Sequence, residues 1–280
     1  RVDASGDTAD QNPGDGTCLD ASGECTLRAA IDEANAAGGL ERIVLPAGRV
    51  TLSASGTGDD ANASGDLDIT GPTILRGAGA DASTLDADRI DRAVHVTPSG
   101  TASLLDLSVT RGAISGEGGG VFNEGRLTLR GVDVHGNAAN EGGGIANVGA
   151  GDTRLRIVAS TVRDNSAGSG GGGLRTRATS EPAVVRHATF TGNSASNGPA
   201  IQSYGPSGTL LQASTVTAND GNEALDIGSG DFSVRNTVVI DNKGDNCSGG
   251  ITSRGYVLSA GATCPTGGTN VTTTTPQLAS

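Results

Sequence analysis

The chain has no Met and no Trp, one Lys, and only three Phe and two Tyr in 280 residues. Without large aromatic and thioether side chains, its core must be built from Val, Ile, Leu and Ala. No apolar run approaches the roughly 18 residues that mark a membrane-spanning helix, which excludes such a helix. Positive charge is scarce: 19 Lys and Arg stand against 31 Asp and Glu, for a formal net charge of −12 and a pI near 4.6. That balance disfavours nucleic acid, whose phosphates call for clustered cations. It suits solubility in a salty or extracellular setting. With Met absent, Arg1 reads as the first residue of a mature or trimmed product.

What the chain has instead is Gly, 46 of 280 residues, without a collagen period. It also has repetition. Asn137, Asn165, Asn193, Asn219 and Asn242 recur at spacings of 28, 28, 26 and 23 residues, and self-similarity at such a period signals stacked supersecondary units. Three positions before each Asn lie Val134, Val162, Phe190, Val216 and Val239. Eight before lie Leu129, Ile157, Val185, Leu211 and Val234. Arg130, Arg156, Arg163, Arg186, Arg235 and Gln212 each fall directly beside one of these apolar positions, which is strand alternation.

A second register follows: Val121, Ile145, Leu174, Ile201 and Leu225, the first three behind runs of Gly. Several short strands with Gly-rich corners leave no room for a helix in each repeat. The pattern predicts an all-β chain, a right-handed parallel β-helix of about nine rungs. Like residues stack on like at roughly 4.8 Å. The Asn residues are expected to form a ladder of amides at a corner, themselves in the left-handed conformation that Asn tolerates.

Residues 1–40 read as an N-terminal cap, 41–260 as the β-helix and 261–280 as a Thr-rich tail. Within the cap, Thr26 to Asn35 predicts a short capping α-helix, with Leu27, Ala30, Ile31 and Ala34 on one face. Such a lid covers the open end of a solenoid. Residues 53–66 read as a loop thrown out of a rung. Cys18 and Cys25 lie near one end of the stack, Cys247 and Cys264 near the other. Cross-pairing would span about 40 Å, whereas a disulfide tolerates about 7 Å between Cα atoms. Two local bonds are therefore expected, and with them an oxidising compartment. Asp10, Asn12, Asp15 and Asp20 have loosely the oxygen spacing of a calcium loop, although a plain solvated loop accounts for them too. No cofactor is implied beyond that structural calcium. Asn62 and Asn270 fit the glycosylation sequon.

Cys25-Thr26-Leu27-Arg28-Ala29-Ala30-Ile31, with Pro13-Gly14-Asp15-Gly16-Thr17-Cys18 before it and Leu45-Pro46-Ala47-Gly48 after it, resembles the N-terminal motif of CSLREA-domain proteins. Asn246-Cys247-Ser248-Gly249, with Ser253-Arg254-Gly255-Tyr256 and Cys264, resembles the C-terminal part of choice-of-anchor β-helix proteins. Gly119-Gly120-Val121-Phe122-Asn123 and Phe190-Thr191-Gly192-Asn193 are more loosely similar to repeats of polymorphic outer-membrane adhesins. The resemblance implies a secreted or surface-attached right-handed β-helix and no particular reaction.

Many β-helices cleave acidic polysaccharides, with catalytic groups on the strip that follows the Gly runs. The outward residues expected there are Phe122, Ala146, Arg175, Gln202 and Asp226. Glu117 and Glu141 should stack at adjacent levels beside it. If the chain is a lyase or glycoside hydrolase with an atypical site, Arg175, Asp226, Glu117 and Glu141 are its candidates. The other reading, for which the shortage of convergent charge speaks, is a non-catalytic extracellular scaffold. It would be secreted or cell-surface associated, adhesive or filament-forming, and would associate head-to-tail with itself or with surface polysaccharide.

Overall fold

Alternation of apolar and polar residues is kept coil after coil, and the result is a parallel β-helix. The computed structural model describes residues 1–177, 180–260, 263–265 and 271–273. Three long parallel sheets run its length. The first has nine strands, from Glu41–Val44 to Ile251–Ser253. The second has ten, from Gly48–Thr51 to Val271–Thr273, and the third has eight, from Leu67–Ile69 to Lys243–Ser248. The number of coils thus differs from face to face, eight to ten against the nine expected.

Register turns the sequence columns into stacked layers. Leu129, Ile157, Val185, Leu211 and Val234 pair in order along the first sheet, and all point inward and are buried. Val134, Val162, Phe190, Val216 and Val239 do the same on the second sheet. Val121, Ile145, Leu174, Ile201 and Leu225 do so on the third. Each buried aliphatic side chain contributes roughly 1.5–3 kcal/mol relative to exposure, so the small repeated core is offset by its length.

The Asn ladder is continuous. The Asn137 backbone N–H and Nδ2 both donate to Asn165 Oδ1, at 3.1 and 3.0 Å. The same pair of bonds links Asn165 to Asn193, Asn193 to Asn219 and Asn219 to Asn242. The left-handed residue, however, is the one before each Asn: Gly136, Asp164, Gly192, Ala218 and Asp241 have φ between 54° and 65°. That corner residue swings the following Asn inward, where its amide replaces the backbone bonds that a bend interrupts. A second ladder, Asn123 to Asn147 to Thr176, runs inside the third sheet. The Gly runs have a steric cause: a Cβ at Gly143 would run into the carbonyl oxygens of Ser166 and Gly172.

Helix α1, Leu27–Ala37, lies against the first strands, Glu41–Val44, Leu67–Ile69 and Pro72–Arg76. Thr26 is its N-cap, with Oγ1 accepting from the Ala29 N–H, and left-handed Gly38 ends it. It therefore starts one residue later and ends two later than expected. Its expected apolar face is buried, and so are Arg28 and Ala29 on another side. Arg28 donates to both Asp7 oxygens and to the carbonyls of Asn62, Gly65 and Asp66. It thereby ties the N-terminal segment and the 53–66 loop to the lid. Val2 donates to the Val44 carbonyl and Asp3 to that of Cys25, so the first residues bind their own chain.

The disulfides join Cys18 to Cys25 and Cys247 to Cys264, with Cα separations of 5.2 and 4.9 Å. Of the expected tail, Val271–Thr273 pairs with Val257–Ala260 as the last strand of the second sheet. The remainder, 261–262, 266–270 and 274–280, with the sequon residue Asn270, lies outside the described residues. Asn62, the other sequon residue, is fully buried, and its Nδ2 donates to the Arg28 carbonyl and Asp32. Among the described residues no helix is long and apolar enough to cross a membrane.

Candidate functional site on the outer strip of the third sheet

Each three-residue strand of the third sheet buries its ends and turns its middle residue outward. Register stacks these into one column: Asp68, His95, Phe122, Ala146, Arg175, Gln202, Asp226 and Ser248. The five expected positions, Phe122 to Asp226, stand as read. The column also extends two coils further towards the N-terminus, to Asp68 and His95.

Glu117 and Glu141 pair in register at a corner beside it. They converge on Arg175, whose Nη1 lies 3.2 Å from Glu117 Oε1 and is bonded to Glu141 Oε2. Arg177 Nη2 adds a contact to Glu117 Oε1 at 3.2 Å. The two stacked carboxylates are matched here by guanidinium groups. Burial pulls the Arg175 guanidinium down from its ordinary value, against the pull of Glu117. Asp226 stands apart. It accepts from Gln202 Nε2 at 3.0 Å and from Tyr204 and Ser248 hydroxyls at 3.1 Å each. Three of the four candidates thus meet, and Asp226 does not join them.

The N-terminal end of the strip holds a second cluster. His95 Nδ1 lies 2.9 Å from Asp68 Oδ1 and 3.5 Å from Asp60 Oδ1, and its Nε2 lies 3.1 Å from Glu124 Oε2. Arg92 reaches Asp66 at 3.3 Å and sits 4.9 Å from the Phe122 ring centroid. Asp66, Asp68, Asp91 and His95 are all at most 3% exposed. Burial pushes the Asp66 carboxyl up to about 7 despite Arg92. Burial would lower His95, but hydrogen bonds to Asp68 and Glu124 hold it above its ordinary value. Asp60, Asp68 and His95 are, among the described residues, the one group of three His, Cys or carboxylate side chains whose ligand atoms lie within 4.8 Å of one another. Such N/O sets suit divalent cations.

The N-terminal acidic loop is arranged otherwise. Asp10 accepts from the N–H groups of Asn12 and Leu19, Asp15 from Thr17, and Asp20 from Ser22 and Glu24. Hydrogen bonds from Ser22 first, then Thr8, hold the Asp20 carboxyl far below its usual range. These carboxylates fold the loop's own turns, and Asn12 gives its carbonyl to the Asp15 N–H. Asp68 and His95 had a sequence signal. Leu67-Asp68-Ile69 and Val94-His95-Val96 repeat the apolar–outward–apolar triplet of the later coils. Asp60, Asp66 and Asp91 had none, because loops bring them in.

No family model, no curated protein and no solved structure matches the chain.

Proposed function

We propose that the chain is a non-catalytic extracellular scaffold, a stiff rod that presents its faces to other surface components. One observation carries the reading: the charged groups of the outer strip are occupied with one another. Arg175 and Arg177 take up Glu117 and Glu141, and Gln202, Tyr204 and Ser248 take up Asp226. A glycosidase needs two carboxylates free to handle a proton and a water or sugar carbon. Asp66, Asp68 and His95 are withdrawn from solvent, which also speaks for structure over turnover. Two disulfides accord with secretion into an oxidising compartment.

Head-to-tail association belongs to the same reading. Ile251–Ser253 and Lys243–Ser248 end their sheets among the described residues, while α1 covers the opposite end. An open strand edge invites another chain. Residues 1–10, as a donor strand, would first have to leave their own chain. The test is incubation with polygalacturonate, alginate and chondroitin sulfate, followed by assay for unsaturated products and new reducing ends. The expected outcome is none. Cleavage that is lost in Arg175→Ala would overturn the scaffold reading in favour of a polysaccharide lyase or hydrolase.

A further inference from the structure

The chain is acidic overall, yet its first sheet is not. Nine of the 18 arginines lie on its outer face: Arg42, Arg76, Arg126, Arg130, Arg154, Arg156, Arg186 and Arg235 on strands, with Arg254 just beyond the last. Among the described residues, no Asp or Glu occupies an outward strand position of that sheet. Register arranges part of this charge regularly. Arg76, Leu105, Arg130, Val158, Arg186, Gln212 and Arg235 form one column, so an arginine recurs on every second coil, roughly 10 Å apart at the usual strand spacing.

Turn carboxylates neutralise the earlier members, Asp106 on Arg76 and Asp152 on Arg126 and Arg154. Arg130, Arg156, Arg186, Arg235 and Arg254 are exposed and, among the described residues, have no ion-pair partner. Arg186, Arg235 and Arg254 line one cleft of about 480 Å³ floored by Val184 and Leu210, where Asp231 is the one acid. Unpaired guanidinium groups at fixed spacing beside an apolar floor are a matched surface for a linear polyanion, since each presents a planar fork to a carboxylate or sulfate.

We propose that this face binds a linear acidic polysaccharide along the solenoid axis, with Arg186, Arg235 and Arg254 as its strongest contacts. The choice of polysaccharide over single-stranded nucleic acid rests on the face itself. Among the described residues it carries no aromatic side chain at an outward strand position, and base recognition relies on stacking platforms. The choice of an extracellular polymer rests on the scaffold reading. The binding surface does not, because it lies on a different sheet from the strip discussed above.

The full-length, disulfide-intact protein would be titrated with polygalacturonate, with heparin as a sulfated arm, and with dextran and poly-dT as comparisons. Binding should favour the two polysaccharides, fall steeply between low and physiological salt, and be absent for dextran. The triple variant R186Q/R235Q/R254Q should weaken binding at least tenfold. The matching R49Q/R89Q/R111Q, away from this face, should not. The lysine version of the first triple should recover part of the loss, and Asp231→Asn should tighten binding about twofold. Equal or tighter binding of poly-dT, equal weakening by both triples, or salt-independent binding would overturn the proposal. Should a triple fail to fold, the salt dependence and Asp231→Asn decide alone. Cleavage of a bound polymer would sink the scaffold reading while leaving the face intact; loss of binding without cleavage would do the reverse.

Discussion

Asp66 shows how one residue's surroundings decide its chemistry. It is a loop carboxylate, 1% exposed and facing Arg92, Asp68, Asp91 and His95. Its folded value of about 7 exceeds its ordinary 3.8, so between these the native state holds a proton that the unfolded state has released. Stability must then fall as pH rises from about 4 to about 7 and level off above. His95 works in the same direction, since its raised value gives stability that is present below the ordinary 6.5 and lost as pH passes the folded value. Melting temperatures from pH 4 to 8 should decline for the native protein, and Asp66→Asn should flatten the decline. A variant with an unchanged pH profile would refute this. The Asn ladder makes a second case. Removing Asn193 leaves the Asn165 backbone N–H and one of its two Nδ2 hydrogens buried without an acceptor, the other still donating to the Val134 carbonyl, at about 1–3 kcal/mol for each unsatisfied group. Asn193→Ala should therefore shift the denaturation midpoint far more than Asn242→Ala, at the half-buried end of the ladder.

At the scale of an element, α1 is more than an amphipathic lid. Its apolar face was legible from Leu27, Ala30, Ile31 and Ala34. Arg28 was not, because a helical wheel assigns a polar neighbour to solvent. Here the N-terminal segment and the 53–66 loop wrap the helix on its other side and bury Arg28 against Asp7. Breaking a buried pair leaves one charge unsatisfied, at about 3–5 kcal/mol, while replacing both partners costs much less. Arg28→Met should destabilise strongly and expose the 53–66 loop to proteolysis. The double variant with Asp7→Asn should regain part of the stability. Equal damage from single and double variants would show that the pair itself is not what pins the loop.

For the whole molecule, the solenoid makes stability a sum of neighbouring coils. A fault in the middle of a column interrupts contacts on both sides. Val185 has no exposure and lies between Ile157 and Leu211. Val185→Asp would bury an unpaired charge and should abolish the cooperative transition seen by far-ultraviolet circular dichroism. A native-like spectrum and melting temperature would contradict the inward column. The arginine face is another property at this scale. Arg130, Arg186 and Arg235 are about 50 residues apart in the chain, yet the coil repeat brings them into one line.

What the sequence determined by itself was everything periodic and everything local. Inward positions must be apolar at fixed strand alternation, so the three core columns and the Asn ladder could be counted off without coordinates. Cys18 and Cys25, like Cys247 and Cys264, are too close in the chain and too far from the other pair to join otherwise. Tertiary structure alone decided which outward groups meet. Coils of unequal length, the 53–66 loop and the returning N-terminal segment bring side chains together that no period connects. Hence Arg175 lies on Glu117 and Glu141 but Asp226 does not, and Asp66, Asp68 and His95 share one buried pocket of charge. Inward residues answer to a single rule, exclusion from water; outward ones answer to geometry that the whole winding must first establish.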